Sequence, residues 1–268
     1  MLRKWAGRVQ GGSSRGSHPV RLRLVKAPRG GALSPFLAAQ DVWRGLDRSL
    51  SGGGGSGVGA FARMALGLLT GWWLYVPVHE LLHAAACRAA GGTVSRLEIA
   101  PLYGGALLAR FLPFVVAGGS GYAGRLSGFD TRGNDLIYLA TDLGPFALTA
   151  LPGVWALRHA ARALRPLVFG LLLPVALAPF LSLGGDAYEI GSILVTRLPP
   201  WSAAVTRGLL RGDDLAARIV SLATTGGAPW GGLALAAVLG LAWALLTYAL
   251  AGAVATALGE PPLAALPA

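Results

Sequence analysis

Two imidazoles and a carboxylate stand at metal-ligand spacing in Val78-His79-Glu80-Leu81-Leu82-His83-Ala84. On a helix, positions i and i+4 share a face, so His79 and His83 can reach one ion. Glu80 can then address a water in that ion's open position. The surroundings matter as much as the motif. From Met64 to Cys87 there are about 24 residues, against the ~20 that cross a bilayer. Within them only His79, Glu80 and His83 carry charge or titrate near neutrality. Ionisable residues in such a span are expensive and mark function. The spacing therefore predicts a zinc site inside a transmembrane helix. With Arg88 at the membrane boundary, helical rise places His83 ~7 Å and His79 ~13 Å inside it.

A catalytic zinc takes three protein ligands and a water, so two histidines need a partner. The downstream candidates are Asp135, Asp142, Asp186 and Glu189. If the first three spans alternate in direction, the end of the first, the start of the second and the end of the third share a face. That brings Asp142, Asp186 and Glu189 towards the histidines. Asp186 is the preferred ligand: it follows Gly184-Gly185 and a segment broken by Pro174 and Pro179. Irregular backbone of that kind lets a short carboxylate approach a facing helix. Asp142 and Glu189 stay open as alternatives, and Asp142 could also cap or pair within the bundle.

Composition says which elements must carry these residues. Of 268 residues, 54% are hydrophobic and 13% charged, with mean hydropathy +0.57. Soluble domains carry about 25% charged residues. Net charge is +11, but ten of the 23 Lys and Arg residues precede Ser49. Such a basic flank marks topology or contact with anionic lipid, so the lipid bilayer is an expected partner and nucleic acid is not. Cys87, the single cysteine, excludes an intrachain disulfide and a Cys-rich metal site.

The expected class is all-α: a polytopic membrane helix bundle of about four to six transmembrane or re-entrant helices. Residues 1–57 read as a basic, Gly/Ser-rich, disordered tail and linker. Within them 36–50 could instead form a short amphipathic helix on the membrane. Residues 58–258 form the transmembrane domain, with spans near 58–90, 136–157, 166–183 and 230–258. Between the spans, 93–100 reads as strand-like, 101–117 as interfacial or re-entrant, 118–135 as a polar loop and 190–228 as mixed and amphipathic. Residues 259–268 read as a short C-terminal tail. His159 and His18 are expected in solvent, and the Trp and Tyr residues as packing and interface anchors.

Three motifs together resemble the site-2 protease family of intramembrane zinc metalloproteases. They are His79-Glu80-Leu-Leu-His83, then Leu143-Gly144-Pro145-Phe146-Ala147-Leu148, then Pro174…Pro179…Leu183-Gly184-Gly185-Asp186. They cover about residues 60–195, a three-helix catalytic core. The resemblance implies a multi-pass protein of the cell (plasma) membrane. Zn2+ would be held by His79, His83 and Asp186, and Glu80 would be the general base. The substrate would be a transmembrane segment of another membrane protein. Two other readings of the same residues are a catalytically silent scaffold of this fold and a metal or proton transporter.

Overall fold

The computed structural model describes residues 36–51, 57–118, 121–224 and 227–265, and the chain in them is mostly helical. Helix α1 (Leu37–Ser51) leads into α2 (Gly57–Ala89), a 33-residue helix that carries the metal motif. At 1.5 Å per residue α2 is ~50 Å long. It stops at Gly91, whose φ of 97° takes the left-handed conformation that glycine tolerates. There Gly92 donates its N–H to the Cys87 carbonyl at 2.9 Å, the 6→1 bond of a Schellman cap.

Three short strands follow: β1 (Thr93–Ile99), β2 (Val115–Ala117) and β3 (Gly124–Asp130), with the small helix α3 (Gly105–Leu108) between the first two. β1 is central, parallel to β2 and antiparallel to β3, with Thr93 opposite Asp130 and Ile99 opposite Gly124. Leu97, Ile99 and Val115 are buried with Ala84 of α2, so the sheet lies on the motif helix. Trp73 also donates its indole N–H to the Leu102 carbonyl at 2.6 Å, fixing the connection after β1 to the middle of α2.

The chain then forms α4 (Asp135–Leu143), α5 (Phe146–Leu148), α6 (Val154–Arg162), α7 (Pro166–Ala176) and α8 (Ala178–Leu181). After these come α9 (Asp186–Val195), α10 (Ala204–Leu210), α11 (Leu215–Ala223) and α12 (Trp230–Ala257). Two helix pairs hold the bundle together through close backbone approach. A Cβ added at Gly67 or Gly71 of α2 would run into the α7 backbone at Leu167 or Leu171, and one at Gly170 into Met64 of α2. Gly191 of α9 and Gly240 of α12 meet the partner's backbone in the same way, at Ala236 and Ala187. Along α12 the buried face is mostly small, with Gly232, Ala236, Gly240, Ala244, Ala251 and Ala255 beside the larger Leu233 and Tyr248, whereas Val238, Leu241, Leu246 and Leu250 point outward.

Several expectations change. The all-α class is amended by the three-stranded sheet, and β3 lies where a polar loop was expected. Its sequence has no apolar alternation, and pairing with β1 supplies what side-chain pattern does not. One described helix, α12, is long and apolar enough to cross a membrane. α4 with residues 146–162, bent by 46°, would be a second if counted as one span. The expected four are not all present as single apolar helices. α2 has the length, but Arg63, Pro77, His79, Glu80 and His83 dilute its apolar run. The expected third span is broken at Leu177 and again before Asp186.

Residues 37–51, where a disordered tail or a short amphipathic helix on the membrane was expected, form a helix with one face buried in the bundle. Asp41 and Arg158 are both fully buried and 2.8 Å apart. The C-terminal segment is docked too. Leu263 donates its backbone N–H to Asp41 at 2.9 Å, and Glu260 pairs with His159 and Arg162. His159 is exposed, as expected, and stands on a helix beside an acid partner. Residues 1–35 of the expected tail, with His18, and 52–56 of the expected linker lie outside the described residues.

Candidate metal centre

α2 presents His79 and His83 one turn apart, their Nε2 atoms 3.1 Å from each other. Each ring is held through its other nitrogen. His83 Nδ1 lies 2.8 Å from the Thr141 carbonyl. A carbonyl only accepts, so Nδ1 carries the proton and a neutral His83 keeps a lone pair on Nε2. That carbonyl takes no α-helical bond and accepts the Gly144 N–H at 3.2 Å beside the imidazole, and the sequence explains why. Its α-helical donor would be the N–H of residue 145, which is proline, and α4 ends there at Leu143-Gly144-Pro145. Gly144 lets the break sit against α2, because a Cβ there would come within 2.6 Å of the Leu82 carbonyl. His79 Nδ1 lies 2.6 Å from the hydroxyl of Tyr75, one turn earlier on the same helix. With that oxygen accepting, His79 also offers Nε2.

Asp186 completes the group from the first position of α9. Its Oδ2 stands 3.1 Å from His79 Nε2 and its Oδ1 3.4 Å from His83 Nε2. Bonds of ~2.0–2.1 Å to a tetrahedral zinc set ligand atoms about 3.3 Å apart. The two imidazole Nε2 atoms are 3.1 Å apart and meet different carboxylate oxygens at 3.1 and 3.4 Å, and ligand atoms taken one from each residue lie within 4.8 Å of one another. Asp186 Oδ2 is buried and makes no hydrogen bond, despite its closeness to His79. Lone pairs converging without donors between them are what a cation satisfies. Among the described residues, His79, His83 and Asp186 are the group of His, Cys, Asp and Glu side chains that could hold a metal ion.

The other candidate acids do other things. Asp135 takes two hydrogen bonds from Arg211, at 2.7 and 3.0 Å. Glu189 accepts from the Tyr138 hydroxyl. Asp142 is buried on α4, with Oδ2 unpartnered.

Glu80 lies beside the centre, between two cavities. The larger, about 600 Å³, reaches from His83 and Asp186 to Asp142, Glu189 and β3. The smaller, about 280 Å³, is bounded by Trp72, Tyr75, His79 and Leu181. Glu80, Tyr122 and Gly124 line both. A Cβ at position 124 would sit 2.5 Å from Glu80 Cγ, so glycine is needed for the strand to lie against the acid. At the rim of the larger cavity, Tyr122 donates to Asp214 at 2.6 Å and Arg125 pairs with Asp213 at 3.3 Å. The Tyr122 bond holds the Asp214 carboxyl below the usual aspartate value and, with burial and the nearby acids, raises the tyrosine's own.

Sequence reasoning missed Tyr75, Thr141 and this rim. Tyr75 was open to discovery, since it stands four residues before His79 on a predicted helix. Thr141 acts through its carbonyl and leaves no residue-type signal. The rim depends on contacts across 88 to 92 positions. Comparison of the chain with protein-family models, with curated proteins and with solved structures found no match.

Proposed function

We propose that this chain is a membrane-embedded zinc peptidase of the site-2 protease type, hydrolysing peptide bonds within or next to transmembrane segments. One observation carries the reading: two imidazoles and a carboxylate converge, with ligand atoms within 4.8 Å of one another, beside a Glu in the position after the first ligand. Zn2+ held there supplies Lewis acidity towards a water and the scissile carbonyl.

The remaining steps belong to the protein's own groups. Glu80 accepts a proton from the attacking water and returns it to the departing amine. The Thr141 carbonyl and the Tyr75 hydroxyl keep the imidazoles turned with Nε2 inward. Gly124 keeps the general base in contact with both cavities. β3 is an edge strand beside the larger cavity, so an extended peptide can pair with its free backbone groups. A helical substrate must unwind locally to do so.

The membrane setting is supported by the way side chains are sorted. The closest helix contacts are made by glycine and alanine, while Phe61, Leu66, Leu69 and Trp73 of α2 and Val238, Leu241, Leu246 and Leu250 of α12 face outward. Helices in lipid associate through small residues and leave large apolar ones to the acyl chains. In this reading α2, the bent α4–α6 unit, the broken α7–α9 unit and α12 lie within the bilayer. Leu102, Leu107 and Phe111, exposed on the connection to β2, dip into it.

The test is cleavage of a membrane-embedded peptide by the full chain in detergent, with Glu80→Gln beside it. Cleavage by the native chain and a loss of at least 100-fold in the variant is the expected result. Equal rates would remove Glu80 from the chemistry. Partner binding with no cleavage by either would favour a scaffold, and metal flux that survives the substitution a transporter.

A further inference from the structure

Two buried side chains and a half-buried one next to the metal centre take no part in holding an ion. Tyr138 and Asp142 are four residues apart on α4 and share a face. Glu189 is three residues beyond Asp186 on α9, about one turn along, a rise of ~4.5 Å. Asp142 and Glu189 are 3% and 6% exposed, and both line the cavity of about 600 Å³. Tyr138 donates its hydroxyl to Glu189, whereas Asp142 Oδ2 is buried with no hydrogen-bond partner.

The guanidinium groups that reach this cavity are engaged elsewhere. Arg211 is held by Asp135, Arg125 by Asp213, and Arg218 donates to the Gly208 carbonyl. Among the described residues, none of them forms an ion pair with Asp142 or Glu189. Two buried carboxylates from different helices therefore face an accessible cavity without a protein countercharge. A buried carboxyl group without a countercharge stays protonated, so a cation entering the cavity is what would let these two ionise.

We propose that Asp142 and Glu189 form a cation-accepting subsite, filled by the ammonium or guanidinium of a substrate lysine or arginine flanking the scissile bond. The proposal rests on the peptidase reading above and names its substrate class. Reach fits the assignment: a lysine stem of about 6 Å spans the ~4.5 Å between Asp186 and Glu189 along α9. The substrate fits too. Basic residues gather where transmembrane segments meet water, and the His79–His83 turn lies near one end of α2.

The experiment uses the full chain, zinc-loaded, in detergent. Transmembrane peptides carry Lys, norleucine or Glu at each position flanking the cleaved bond. At one flanking position, kcat/KM for Lys is expected to exceed that for norleucine by at least tenfold, with Glu poorer still. In Asp142→Asn and Glu189→Gln that ratio is expected to fall to near one. A native ratio near one at every position, or an unchanged ratio in both variants, would overturn the subsite. Because the readout is a ratio, a folding defect that lowers both rates does not imitate the result.

A second measurement does not depend on cleavage. Nα-acetyl-lysine amide, but not the norleucine amide, is expected to bind Glu80→Gln protein in calorimetry, and adding Asp142→Asn to abolish binding. Lysine-amide binding without proteolysis would uphold the subsite and sink the peptidase. Proteolysis with neither Lys preference nor amide binding would do the reverse. Two divalent ions per chain, one of them lost in Asp142→Asn, would overturn the proposal in favour of a second metal site.

Discussion

His79 and His83 come to the ion position with their second nitrogens already engaged, and this is where the chemistry can be tuned. Tyr75→Phe removes the oxygen 2.6 Å from His79 Nδ1 and little else. Outer partners of ligating histidines are worth about 10–100-fold in metal affinity. Chelator competition should show zinc held that much more weakly in the variant, and unchanged affinity would mean the contact is only packing. Pro145→Ala makes a complementary test, since it returns an N–H that competes with His83 for the Thr141 carbonyl. The rim carries the pH dependence. The hydroxyl of Tyr122, and then the Ala217 N–H, hold the Asp214 carboxyl below its ordinary value. A lowered folded value means the tether is fully present above the unfolded carboxylate value near 3.9. It is lost only as pH falls through the still lower folded value. Hydrogen-exchange protection at residues 121–124, relative to the intrinsic rate at each pH, should thus be constant from neutral pH to about 4 and fall below that. Asp214→Asn should lower protection at neutral pH; a loss of protection between pH 7 and 5 in the native chain would contradict the assignment.

Among elements, the decisive ones are those whose backbones come close. β3 touches Glu80 only because position 124 is glycine. Gly124→Val should abolish cleavage while zinc content stays near that of the native chain; retained cleavage would free the strand from any role. α1 is tied in by one fully buried ion pair. Removing one member of such a pair typically costs about 3–5 kcal/mol, so Asp41→Ala should lower the detergent unfolding midpoint sharply, with a surface substitution at Asp47 as the control.

The legibility of the sequence follows the same divide. α2 and α12 are readable as long apolar runs, and His79, Glu80 and His83 from spacing on the first of them. Asp186 could be ranked above Asp142 and Glu189 because span direction and broken backbone are sequence properties. β3 and the Tyr122–Asp214 tether were not readable, because each depends on a distant partner rather than on local pattern. α1 was readable as an amphipathic helix, but not its place in the bundle, since Asp41 looks like one more surface charge until Arg158 is set beside it.

For the whole molecule, the sorting of side chains and the metal group make one claim: a polar site enclosed by helices whose outer surfaces suit lipid. If α12 and the bent and broken units lie in the bilayer, alkaline carbonate should leave the chain in the membrane fraction, whereas release into the supernatant would mean a peripheral protein. The centre itself is tested most directly by metal analysis of the purified full chain. About one zinc per native chain is expected, falling to near zero in His83→Ala and Asp186→Ala and persisting in Asp142→Ala. Zinc lost in Asp142→Ala but kept in Asp186→Ala, or no zinc in the native chain after loading, would contradict a centre built from His79, His83 and Asp186.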